Sequence, residues 1–222
     1  MLRLAFPRPV LRLFSTSDEA LKAICKQVTD TAFDIAQKTL KNPIGWELVE
    51  HLEDTEILRN TKYPDSHVYR RQGKIAVPPM KIISYVRNVE NTKSWNDPII
   101  EAKVLRNLGN YQVIYQKVTM PWPLSVRDII FADSLRYLDN GCAYVMASID
   151  YPDPFKRTEA VHSVLNWAVI LAEEVENFQD CSFVTYASSW QLKEESASLR
   201  EVDYLVQKRN PFVLRLRKML VD

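Results

Sequence analysis

The chain has 222 residues, 46% of them hydrophobic and 26% charged, with 29 basic and 28 acidic side chains and a formal net charge of +1. That length suits one domain with a sizeable core, and the charge balance creates no bulk field toward nucleic acid or an acidic membrane. Three scattered cysteines (Cys25, Cys142, Cys181) frame neither disulfides nor a zinc site, and four glycines cannot build the loops of Rossmann or P-loop enzymes.

Residues 1–17 carry Arg3, Arg8 and Arg12, then Ser15, Thr16 and Ser17, with no acid before Asp18. That composition predicts a mitochondrial leader. Arg12-Leu13-Phe14-Ser15 is similar to a matrix-protease cleavage step, although Pro7 and Pro9 interrupt an amphipathic helix.

Residues 18–43 read as an N-terminal helix. Leu21, Ile24, Val28, Ala32, Ile35 and Leu40 form one stripe, Ser17 is placed to cap it, and Asn42-Pro43 ends it. A strand-like run follows over 47–58. A short or interrupted helix is predicted over 87–96. Strands are expected at about 100–106, 111–119, 128–138, 142–150, 160–171 and 181–190. The end is helical: Ser198 and Glu201 form a capping box, Leu199, Val202, Leu205 and Val206 a stripe, and Asn210-Pro211 restarts or kinks the helix. Phe212, Val213, Leu216 and Leu220 continue the apolar face.

Two strands alternate cleanly. On the first, Tyr111, Val113, Tyr115, Lys117 and Thr119 share a face; on the second, Ile129, Phe131, Asp133, Leu135 and Tyr137 do. A register with Lys117 opposite Asp133 brings a base and an acid together inside an apolar surface. Burying such a pair is costly. It serves either as a structural ion pair or as the polar contact of a cavity whose ligand has a polar end.

Between these strands stands Pro121-Trp122-Pro123-Leu124-Ser125-Val126-Arg127-Asp128. Pro-x-Pro-x-x-x-Arg-Asp between two strands resembles the START (StAR-related lipid transfer) domain, most nearly its phosphatidylcholine-transfer type. Trp46, Gly73-Lys74-Ile75, the helix over 77–86, Ser94-Trp95-Asn96 and Tyr151-Pro152-Asp153-Pro154 fit the same family in order over roughly 44–220. Two features depart from it. Lipid-binding relatives often carry an acid and an arginine at the positions of Lys117 and Asp133, so the charges are exchanged here. The Gly-rich turn and Ile-Pro that usually precede the last helix are replaced by the segment from Ser188 to Glu195.

The resemblance implies an α+β helix-grip fold over 44–222, a curved antiparallel sheet wrapped around a long C-terminal helix. It implies non-enzymatic binding, and intermembrane transfer, of a phospholipid or other single lipid in an internal tunnel. Expected tunnel contacts are Lys117, Asp133, Tyr115, Phe131, His162 and Tyr111. Core packing is the safer view of the tyrosines, and a solvated strand face the more usual one for His162. Trp122, Leu124 and Phe212 are expected at the lid or membrane surface, with Trp122 either inserting at the interface or packing on its own domain. Arg127 and Asp128 are expected to be structural. No cofactor, metal or nucleic acid is expected beyond the lipid. The alternative is an accessory subunit of a larger mitochondrial membrane complex on the same fold. Catalysis finds no support: His51, His67 and His162 lack metal-ligand spacing, and Cys25 has no base partner in the pattern.

Overall fold

The structure is a computed structural model and describes residues 17–63, 67–119, 126–151, 160–178, 180–191 and 211–221. The leader before Ser17, the loop residues Trp122 and Leu124, and the expected capping box and stripe over 198–206 lie outside the described residues.

Helix α1 spans Asp18–Lys41, and the Ser17 hydroxyl accepts from the Ala20 N–H at 3.3 Å, as the sequence predicts. Strands β1 (Trp46–Leu52) and β2 (Thr55–Asn60) then form a hairpin where one run was expected. The turn has no glycine, proline or asparagine; Glu53 takes φ +55° and Asp54 beside it is the one turn-forming residue, so the signal there is weak. Strand β3 (Val68–Ile75) leads to α2 (Pro79–Arg87), a 3-10 turn (Val89–Asn91) and α3 (Thr92–Trp95). Pro79 fits the first turn of α2, where its missing N–H costs nothing. Strands β4 (Ile99–Asn107), β5 (Tyr111–Val118), β6 (Arg127–Leu138) and β7 (Gly141–Ser148) follow. The strand expected over 160–171 is divided at Ser163 into β8 (Val161–His162) and β9 (Val164–Glu174). After β10 (Ser182–Gln191), helix α4 (Phe212–Leu220) closes the described chain.

The sheet runs β1-β2-β3-β10-β9-β7-β6-β5-β4, antiparallel throughout, and β8 adds a short parallel pairing to β6. This is the helix-grip α+β fold. Its inner face is covered by α2, α3 and α4. There Ile114, Phe131, Tyr144, Met146, Ile170, Val184 and Tyr186 meet Ile82, Ile83, Val86, Trp95, Phe212, Val213 and Leu216. Its outer face is covered by α1. Phe33 and Ala36 pack against Val145, Trp167 and Val169, while Leu21 and Cys25 pack against Val113, Tyr115 and Ile130. No helix among the described residues is long and apolar enough to cross a membrane.

Helix α4 approaches the sheet closely. A Cβ on Gly73 would stand 3.0 Å from Val213 Cγ1 and 3.0 Å from Thr55 Cγ2, so the missing side chain sets how near the helix lies. Phe212 stacks edge-on against Trp95 (centroids 5.7 Å apart) and tilted against Tyr186 (4.8 Å). Arg217 fastens the last turn. Its Nη1 and Nη2 donate to the two carboxylate oxygens of Asp54, the second bond at 2.8 Å, and its Nε donates to the Lys74 carbonyl at 2.7 Å.

One expectation about the sheet is overturned. Lys117 lies opposite Asp128, and Asp133 lies opposite Gln112. The expected Lys117–Asp133 register is off by five residues, an odd number, so the two side chains fall on opposite faces. The cause is α1. It covers the outer side of β5, so Tyr111, Val113 and Tyr115 face a helix and look as core-like as the inner set, Gln112, Ile114, Gln116 and Val118. A strand buried on both sides does not announce which face is inward.

Candidate functional site

Of the expected tunnel contacts, Phe131 and Asp133 lie on the inner face, and Phe212 covers it. Lys117, Tyr115 and Tyr111 lie on the outer face, the two tyrosines within the α1 cluster. His162 also belongs to the outer side. Its Nδ1 is 3.1 Å from Oδ1 of buried Asp128, across the β6–β8 pair. Arg127 is buried too, and by strand alternation it points inward while Asp128 points outward. The two therefore face opposite sides of the sheet at the start of β6. Asn166 Nδ2 donates to Ser189 Oγ at 3.2 Å.

The partner of Asp133 comes from a helix. Asp133 is 0% exposed and its Oδ1 accepts from the Gln112 backbone N–H at 2.9 Å. Arg87, on the last turn of α2, places Nη2 3.4 Å from the same oxygen and 2.9 Å from the Asn110 carbonyl. Burial drives the Asp133 pKa up to about 6, against the pull of the Arg87 charge and hydrogen bond, the Tyr144 hydroxyl and the Gln112 N–H. Tyr144 is pushed well above its ordinary value, first by burial and then by the Asp133 charge.

The cluster is not saturated. Arg87 Nε, Gln112 Oε1 and Asp133 Oδ2 are buried with no partner in full hydrogen-bonding geometry. One donor and two acceptors stand open, and each unsatisfied group of this kind costs about 1–3 kcal/mol. Beside them lies a cleft of about 380 Å³ lined by Ile83, Ser84, Arg87, Asn88, Val89, Val104, Gln112 and Leu135. Apolar walls with a few convergent polar groups are the usual form of a small-molecule site.

Burial pushes the Cys25 thiol up to about 12 and the Cys142 thiol up to about 11, far from the thiolate form a nucleophile needs. Among the described residues no group of His, Cys, Asp or Glu is disposed to hold a metal ion.

Sequence reasoning missed Arg87, although a signal existed. Ile83 is one helical turn before it and fully buried, so a cation at the next turn of that face must meet the protein interior.

The fold recurs in solved structures. Human StAR-related lipid transfer protein 5 matches with a TM-score of 0.79 at 11% identity, over 90% of this chain and 98% of that one. Human STARD10 matches at 0.70 and 19% identity, over 85% and 78%. A fragment of the STAR-related lipid transfer protein of Xanthomonas axonopodis matches at 0.66 and 16% identity, over 80% and 99%. By sequence, no family model and no curated protein matches the chain.

Proposed function

We propose that this chain binds one lipid, a phospholipid or another single amphiphile, between the inner face of its sheet and the C-terminal helix, and carries it between membranes without chemical change. The observation that supports this most is a fold shared with lipid transfer domains combined with an unsaturated polar cluster on its inner face. Fold alone does not fix function, so the cluster matters. Asp133 keeps the role the sequence assigns it, with Arg87 in place of Lys117 as its base. The apolar part of the ligand is held by burial at roughly 25 cal/mol per Å². The open donor and acceptors suit a neutral group that both gives and takes a hydrogen bond. The leader over residues 1–17 directs the chain to mitochondria, a reading that rests on its composition.

The test is native mass spectrometry of the purified protein after incubation with mixed-lipid vesicles, with transfer to acceptor vesicles followed in parallel. One bound lipid that exchanges supports the reading; a protein that takes up none refutes it.

A second reading, an accessory subunit of a mitochondrial membrane complex, draws support from edge strand β1. Leu48 there and Ile44 just before it are 59% and 68% exposed, apolar surface that a stable partner would cover. Stable co-purification of the tagged chain with membrane proteins tests it.

A further inference from the structure

Arg71 is the anomaly of the inner face. Strand alternation sets it between Tyr69 and Gly73, opposite Ile57 on β2 and Tyr186 on β10, and it is 6% exposed. Among the described residues it makes no hydrogen bond and no ion pair; its Nε is buried without a partner. Its one recorded contact is a ring: Cζ lies 5.4 Å from the centroid of Tyr186, which in turn packs on Phe212. Burial lowers its pKa, opposed among the described residues by Tyr186 and Tyr69 and by no carboxylate. A guanidinium offers five donors and is almost never buried without acceptors. Removing it from water uncompensated is among the most unfavourable arrangements a core can hold.

We infer that Arg71 is the seat for the anionic group of the bound lipid, a carboxylate or a phosphate, which supplies its missing counter-charge and acceptors. This rests on the lipid-binding reading and deepens it by fixing the charge of the ligand. Asp133 does not compete for the same group. It already faces Arg87 and lies four strands away in the order β3-β10-β9-β7-β6, roughly 19 Å along the sheet. One end group cannot meet both. The anion sits on Arg71, the apolar body follows the inner face, and a neutral polar group reaches the Asp133 cluster. A planar guanidinium binds two oxygens of a carboxylate or phosphate side by side, which an ammonium does not.

The experiment uses two matched pairs delivered from cyclodextrin to the full chain: palmitate against hexadecanol, and dioleoyl phosphatidate against dioleoylglycerol. Binding is read by native mass spectrometry and by ligand-induced shifts in melting temperature. In at least one pair the charged member is expected to bind tenfold or more tightly than its neutral counterpart. The pair that shows it tells a carboxylate from a phosphate. Arg71→Met is expected to abolish that preference and to melt without ligand no lower than the wild type, since it removes an unpaired buried charge. Arg71→Lys, which keeps the charge if the methionine variant does not fold, is expected to retain a weakened preference. Equal binding of both members, or a preference that survives Arg71→Met, overturns the inference and leaves lipid binding standing. Failure of all four molecules to bind overturns both.

Discussion

Arg87 Nη2 stands 3.4 Å from Asp133 Oδ1, an oxygen that already accepts a 2.9 Å bond from the Gln112 N–H. The contact is too long to offset fully the burial of a carboxylate that is 0% exposed.

A pH dependence follows from it. The folded pKa of Asp133 is about 6, above the roughly 3.9 of an unfolded aspartate. The folded state therefore holds this proton more tightly. The stabilisation is complete below pH ~4 and is lost as pH rises through 6, about 3 kcal/mol in all. Asp133→Asn keeps an acceptor for the Gln112 N–H and removes the titration. Urea unfolding at pH 5 and pH 7.5 should show the wild type losing about 1 to 1.5 kcal/mol more than the variant. Equal losses would exclude the assignment.

Uptake of lipid should discriminate the two bases. Arg87→Met removes the partner of Asp133 and one wall of the cleft, so vesicle uptake should fall several-fold. Lys117→Ala changes an outer-face side chain opposite Asp128 and should leave uptake unchanged. The reverse ranking would restore the expected Lys117 contact.

The grip on α4 is testable by a double-mutant cycle. Arg217→Ala loses both bonds to Asp54 and the one to the Lys74 carbonyl, and should lower stability by about 1 to 2 kcal/mol. Asp54 is largely exposed, so its coupling to Arg217 should be only about 0.5 to 1 kcal/mol. Arg217 holds the Asp54 carboxyl below its usual range, so that coupling is present at neutral pH and fades as acid titrates the carboxylate. A coupling of zero would make this contact incidental.

Two packing sites should be intolerant. A Cβ at Gly141 would stand 2.1 Å from the Ala172 carbonyl oxygen, inside the β7–β9 ladder, so Gly141→Ala should cost more than about 3 kcal/mol or prevent folding. Phe212→Ala empties the space between Trp95 and Tyr186 and should cost about 3 to 5 kcal/mol. A melting temperature within a degree or two of wild type in either variant would contradict the packing described.

What the sequence disclosed divides along physical lines. Helix α1 and the strands from β4 to β7 follow from periodicity, although the buried face of α1 runs through Cys25, Thr29, Phe33 and Ala36, one residue past Ile24, Val28, Ala32 and Ile35 of the expected stripe. Asp133 on the face of Ile129 and Phe131 was likewise legible. Its partner was not, since Arg87 is 46 residues away and strand pairing says nothing of a helix laid across the sheet. Arg71 left a fainter trace. It alternates with Tyr69 and Ile75, both 1% exposed, which places it indoors. That no carboxylate among the described residues answers its charge follows only from the fold.

The place of β3 in the sheet has a consequence for biosynthesis. Its neighbour on one side is β2, made just before it, but on the other it is β10, made more than a hundred residues later. While those residues are being made, that edge is an open template of backbone donors and acceptors. Helix α4, which seats on Gly73 of the same strand, comes later still than β10. The inner face therefore cannot be completed until these later elements have joined it, and until then the unpaired edge of β3 is open to pairing with other strands.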